Sequence, residues 1–107
     1  MKINCVNKKC VFNVDETCKR EIVTIVGLFA QSKIETLCAS FMNKNNPGCS
    51  LDYEAKNNIV KCDADTCKYH QNGYCTKDVL QISGYHNAKY RSETECDNFE
   101  LKERKKV

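Results

Sequence analysis

The chain contains 107 residues, with 17 Lys and Arg against 14 Asp and Glu, a net charge of +3 and 9 Cys. A balance so close to neutral argues against a nucleic-acid-binding surface. The best apolar run, 22–30, is broken by Thr24 and Gly27 and falls well short of the ~18 residues of a membrane span, so membrane insertion is not expected. The length admits one ordinary domain or two small units of a size at which a hydrophobic core alone no longer suffices.

In chain order, the start Met1-Lys2-Ile3-Asn4 has one cation but no apolar h-region, so nothing directs secretion and synthesis in the cytoplasm is expected. From Cys5 to Cys18 the chain is rich in Asn, Lys and Asp and follows neither a strand nor a helix period, which predicts a knuckle of turns shaped by its sulfurs. Segment 21–27 is β-branched and bounded by charge and glycine, a predicted strand with Val23 and Ile25 on one face. Residues 30–37 are more polar and are expected to form one or two helical turns that bring Cys38 back to the sulfurs. Asn43-Lys44-Asn45-Asn46-Pro47-Gly48 is a turn and linker signal, and Leu51, Tyr53 and Ala55 give the connector some packing capacity. The same order then recurs: a knuckle from Cys62 to Cys75, a strand over 78–84 with Leu80 and Ile82 on the equivalent face, a polar stretch over 86–95, and Cys96. The tail over 100–107 is locally basic and reads as a solvated terminus.

This recurrence is a tandem duplication. Cys5, Cys10, Cys18 and Cys38 leave gaps of 4, 7 and 19 residues, and Cys62, Cys67, Cys75 and Cys96 leave gaps of 4, 7 and 20. At an offset of 57, Phe12 meets Tyr69, Ile25 meets Ile82 and Gly27 meets Gly84; after a one-residue insertion Glu35, Thr36 and Phe41 meet Glu93, Thr94 and Phe99. The organisation is therefore repeat one (1–41), linker (42–59), repeat two (60–99) and tail (100–107). The expected fold class is a pair of small cysteine-stabilised or metal-bound domains, irregular with short β-strands, each half self-contained around its own quartet.

Each unit needs a staple. Structural zinc contributes on the order of 10–16 kcal/mol to the folding of small peptides, and a disulfide of this loop size roughly 2–4 kcal/mol. Zinc takes four thiolates in a tetrahedron, usually from tighter C-x2-4-C knuckles, while disulfides need only pairwise geometry. A plant-type iron–sulfur cluster needs C-x4-C-x2-C where this chain has C-x4-C-x7-C. Clustered thiols in a reducing compartment more often bind metal than form bridges. The expected cofactor is thus zinc, two ions, one per repeat, with disulfides within each repeat among the same eight cysteines as the alternative.

The remaining signals are local. Cys49 belongs to neither quartet, and its Pro-Gly setting makes it the candidate thiol for a bridge between chains. His70 and His86 correspond to Asn13 and Phe29, lie outside the repeated design and read as surface residues. Glu35-Thr36 and Glu93-Thr94 are expected to cap turns by satisfying backbone N–H groups near the last cysteine of each repeat. The other strand face, Ile22, Thr24 and Val26 followed by Leu28 and Phe29, is more apolar than its counterpart Val79, Gln81 and Ser83, which favours self-association. No Gly-rich phosphate loop, Ser-His-Asp set or open metal position is present, so no enzymatic activity is expected.

The order Cys-x4-Cys-x-aromatic, Cys, apolar strand with Gly, then Glu-Thr-x-Cys-x-x-Phe is similar to a family of short four-cysteine domains of unknown function from spore-forming bacteria, and the likeness covers nearly the whole chain as two copies. The tandem form with an extra cysteine resembles small cysteine-rich proteins of the exosporium or spore coat. That resemblance implies a structural, non-enzymatic role on the spore surface, with the protein itself and other spore-surface proteins as partners. The alternative is a cytoplasmic zinc-binding adaptor or regulatory module that contacts protein or nucleic acid through Tyr69, Tyr74, Tyr85 and Tyr90.

Overall fold

In a computed structural model, residues 1–45, 50–51, 53–85 and 88–102 are described. Cys49, His86, the Pro47-Gly48 turn and the cationic end of the tail lie outside these residues. Among the described residues, ten short strands and two single 3₁₀ turns make up the regular structure. Repeat one contributes β1 (Lys2–Cys5), β2 (Asn13–Val14), β3 (Thr17–Cys18), β4 (Ile22–Val26) and β5 (Leu37–Cys38); repeat two contributes β6 (Ile59–Cys62), β7 (His70–Gln71), β8 (Tyr74–Cys75), β9 (Val79–Gly84) and β10 (Thr94–Cys96). The polar stretches before the last cysteines hold the 3₁₀ turns, Lys33–Glu35 and Arg91–Glu93. The helical turns expected there are present, each a single turn long.

The expected strands over 21–27 and 78–84 form as β4 and β9, with Val23, Ile25, Leu80 and Ile82 buried and their neighbours half-buried or exposed. Alternation of β-branched and apolar residues on one buried face is sufficient reason for both. The knuckles are more regular than expected, because β2 and β3, and likewise β7 and β8, close into hairpins. Their two-residue turns put Asp15 and Glu16, and Asn72 and Gly73, at positive φ of 52, 65, 52 and 83°. That is the turn twist that suits a right-handed hairpin, and Asn-Gly is its preferred pair. Cys5 N–H donates to the Glu16 carbonyl and Cys62 N–H to the Gly73 carbonyl, each at 2.8 Å, so each hairpin is docked onto the strand carrying the first cysteine.

The two halves are not self-contained. One sheet runs β10-β9-β1-β3-β2 and the other β5-β4-β6-β8-β7, so each sheet is built from both repeats. The joints are parallel: β1 pairs with β9 from Lys2↔Val79 to Cys5↔Ile82, and β4 with β6 from Ile22↔Ile59 to Ile25↔Cys62. Parallel strands have no tight turn between them and need a long connection, which chain from the other parts of the molecule supplies here. At the offset of the duplication these joints map onto each other, giving an internal two-fold relation between the repeats.

A single central core follows from this exchange. Ile3, Val23, Ile25, Val60, Leu80 and Ile82 are each no more than 2% exposed and pack together with Cys5 and Cys96. Ile3 and Val60 sit on β1 and β6 and are buried among residues of the other repeat, so neither repeat could bury its strands without its twin. A second cluster joins Cys10, Phe12 and Phe41 of repeat one to Ala88 of repeat two. The linker also packs: buried Asn58 accepts from Ile3 N–H at 3.0 Å through Oδ1 and donates through Nδ2 to the Cys18 and Arg20 carbonyls. Ala55 is buried nearby, its N–H bonded to the Lys19 carbonyl at 2.9 Å.

Candidate metal centres

Each quartet of cysteines is assembled by two sheets. Cys5 ends β1 and Cys18 ends β3 in the first sheet, Cys10 follows on a loop, and Cys38 arrives on β5 at the edge of the second sheet. Cys62 on β6, Cys75 on β8 and Cys67 belong with the second sheet, while Cys96 comes from β10 at the edge of the first. Backbone pairs hold the loop cysteines: Cys10 bridges to Asn43 and Cys67 to Leu101, so the segment after each last cysteine folds back onto its own knuckle.

The four sulfurs of a repeat line one small cavity. Cys5, Cys10, Cys18 and Cys38 surround a space of about 20 Å³, and Cys62, Cys67, Cys75 and Cys96 surround another of about 20 Å³. A single water needs roughly 10–15 Å³ on this measure, so each cavity has room for one atom-sized guest. Phe12 and Phe41 line the first and Tyr69 and Phe99 the second, as the pairing of these aromatics suggested. The aliphatic lining is shared: Ile82 of repeat two joins Ile3 and Val23 in the first cavity, and Ile25 of repeat one joins Val60 and Leu80 in the second. No disulfide joins any two of these eight cysteines. Among the described residues, no group of three or more His, Cys, Asp or Glu stands close enough together to hold a metal ion.

Backbone N–H groups point at the sulfurs in a repeated pattern. Asn7 donates to Cys5 and Ala64 to Cys62, each at 3.4 Å, and the backbones of Arg20, Ser40, Lys77 and Asn98 lie near enough to lower the Cys18, Cys38, Cys75 and Cys96 thiols. In every case the backbone group lies two residues beyond the cysteine. Such bonds favour the thiolate. Burial works against them and wins: it pushes Cys18 and Cys62 up to about 11 and Cys38 and Cys96 up to about 12, with neighbouring sulfurs of the same quartet adding to the rise. The same burial raises Cys5 and Cys75. Without metal these six are therefore neutral thiols at neutral pH.

The two centres differ in detail. Asn7 is buried and adds a side-chain N–H to Cys5 at 3.5 Å, whereas the corresponding Ala64 has none. His70, expected at the surface, is half-buried and lines the second cavity where Asn13 lines the first. The expected caps form. Glu93 accepts from Lys89 and Tyr90 N–H at 3.0 and 3.2 Å, and Glu35 from Gln31 N–H at 3.2 Å. The threonines reach farther than expected: Thr94 Oγ1 accepts from Cys38 N–H and Thr36 Oγ1 from Cys96 N–H, both at 2.8 Å. Each threonine therefore orients the last cysteine of the other repeat. No feature of a single repeat read alone points to that crossing.

The chain matches the family described as Domain of Unknown Function (DUF1540) over residues 3–41 and again over 60–99. It belongs to that family. The two DUF1540 segments coincide with the two cysteine quartets and leave the linker and tail outside. Comparison with curated proteins finds no match, and neither does comparison with solved structures.

Proposed function

We propose that this tandem DUF1540 protein is a non-enzymatic structural component that binds two zinc ions, one per repeat, and assembles with itself in the surface layer of a spore. The observation that supports the zinc reading is the lining of one atom-sized cavity by four cysteines, twice, with a backbone N–H bonded to the first sulfur of each quartet. Neutral thiols and disulfides gain little from such donors, whereas thiolates gain much. Zinc is a Lewis acid that holds deprotonated sulfur. The donor set fits it: the residues that would hold the ions are Cys5, Cys10, Cys18 and Cys38, and Cys62, Cys67, Cys75 and Cys96. A tetrahedron filled by four protein thiolates leaves no position for substrate, which supports a structural role.

Placement on the spore surface rests on the resemblance to four-cysteine proteins of spore-formers, and self-assembly on the apolar outer face. Ile22, Leu28, Phe29 and Ile34 are 43–76% exposed, and Ile59 beside Ile22 is 49% exposed. Cys49, the ninth thiol, is assigned the bridge between chains. The alternative adaptor reading draws on Tyr74, Tyr85 and Tyr90, all exposed, whereas Tyr69 is half-buried, bonded to Glu100 and stacked by Lys77.

Native mass spectrometry under reducing conditions, compared with the denatured mass, tests the metal reading. Two zinc ions per chain are expected; a metal-free chain lighter by eight hydrogens would establish disulfides instead. Replacing Cys49 with Ser should abolish multimers on non-reducing gels, and unchanged multimers would remove Cys49 from that role.

A further inference from the structure

The contact between the two repeats is self-complementary, and nothing in it requires both repeats to lie on one chain. Its two parallel joints are equivalent, β1 with β9 and β4 with β6, four register pairs each. Its side-chain bonds are reciprocal, Thr94 with Cys38 and Thr36 with Cys96 at 2.8 Å both ways. Its buried residues come in like pairs, Ile3 with Val60, Val23 with Leu80 and Ile25 with Ile82. This is the geometry of an isologous dimer whose two subunits have been joined by a linker.

We propose that a second copy of this chain is the partner this surface accepts, and that copies join by exchanging whole repeats: repeat one of one chain completes its sheets with repeat two of another. Every strand pairing, threonine bond and sulfur cavity described above is then re-formed between chains, because each cavity takes its four cysteines from one repeat and its foreign lining from whichever repeat lies opposite. Two chains exchanging mutually close a dimer. A chain that gives its repeats to two different neighbours extends an open run, with unmatched repeats only at its ends. The tether decides between closed monomer and exchange. A linker of this length sets an effective concentration on the order of 1 mM, so exchange prevails where chains fold at that density, as in a deposited layer.

The inference rests on the self-assembling role proposed above but not on zinc. Equal amounts of unlabelled and ¹⁵N-labelled full-length chain are unfolded together in denaturant with excess reductant. They are then refolded with zinc at about 10 µM and at about 2 mM, either side of the tether's effective concentration. Native mass spectrometry and size exclusion should find monomers at the low concentration. At the high one they should find dimers and longer runs, mixed-label dimers about twice as abundant as either pure form. These should survive dilution and disperse only after a second unfolding, and their sheet amides should be as protected from exchange as the monomer's. Multimers that fall apart on simple dilution, or that lose sheet protection, would overturn strand exchange while leaving self-association intact. Monomers at both concentrations would overturn strand exchange and all self-association that does not run through the Cys49 bridge.

Discussion

Thr36→Val is the perturbation that most directly interrogates the crossed architecture. Thr36 is 3% exposed and its hydroxyl accepts from Cys96 N–H while donating to the Lys33 carbonyl at 2.6 Å. Valine keeps the shape and removes both bonds. The Lys33 carbonyl still receives Thr36 N–H at 3.0 Å, so the loss falls on Cys96 N–H, which is left buried in the other repeat. An unsatisfied buried donor costs about 1–3 kcal/mol, and the added methyl returns at most about 0.8 kcal/mol. A net loss of about 1–2 kcal/mol is expected in urea unfolding with zinc and reductant held fixed. The location of the effect is the sharper readout. Amide exchange at Cys96 should accelerate about 5- to 30-fold, although the substitution lies 60 positions away in sequence. Thr36→Ser, which retains the hydroxyl, should leave the Cys96 amide protected. Faster exchange confined to residues around Lys33, with Cys96 unchanged, would refute the reciprocal bond and the crossed pairing it reports.

Gly27 and Gly84 occupy equivalent positions but should respond differently to alanine. A Cβ on Gly27 would meet Thr36 Cγ2 at 2.9 Å, so Thr36→Ser should partly rescue Gly27→Ala in a double-mutant cycle. On Gly84, at φ 110°, it would run into the Glu93 carbonyl oxygen, and no side-chain change should rescue it. Glu16→Gly should raise the unfolding free energy in urea by about 1 kcal/mol, since Glu16 holds a left-handed φ of 65° where repeat two has Gly73; a lower midpoint would count against strain at that turn. The pH response should change sign with metal. Without metal, thiols whose folded values lie at about 11 and 12, against 9.0 when free, bind more protons folded than unfolded, so stability should fall as pH rises from 9 toward 12. Zinc must expel those protons, so its affinity, followed by chelator competition, should rise by tenfold or more per pH unit between about 6 and 8; a flat profile would exclude thiolate ligation.

Much of the candidate site was legible because sulfur chemistry leaves a spacing that survives without any structure. Two quartets at matched gaps, aromatics at Phe12 and Tyr69, and a Glu-Thr pair before each last cysteine marked the residues that surround each cavity. Alternation in 21–27 and 78–84 marked the buried faces of β4 and β9. The strands β1 and β6 are not legible in the sequence, since four residues ending in a cysteine carry too little pattern to show a period. The place of His70 in the second cavity is not legible either, because the repeat offers Asn13 at its position.

Composition and periodicity thus determined that this is a doubled, cysteine-centred chain of short strands, and they located the residues around each centre. Only the tertiary structure decided which repeat each strand pairs with. A duplicated sequence presents every strand with two chemically similar partners, one in its own half and one in the other, and local pattern does not distinguish them. The choice is made by burial: Ile3, Ile25, Val60 and Ile82 leave water together only when the repeats cross, and a core formed by both halves is larger than either could form alone.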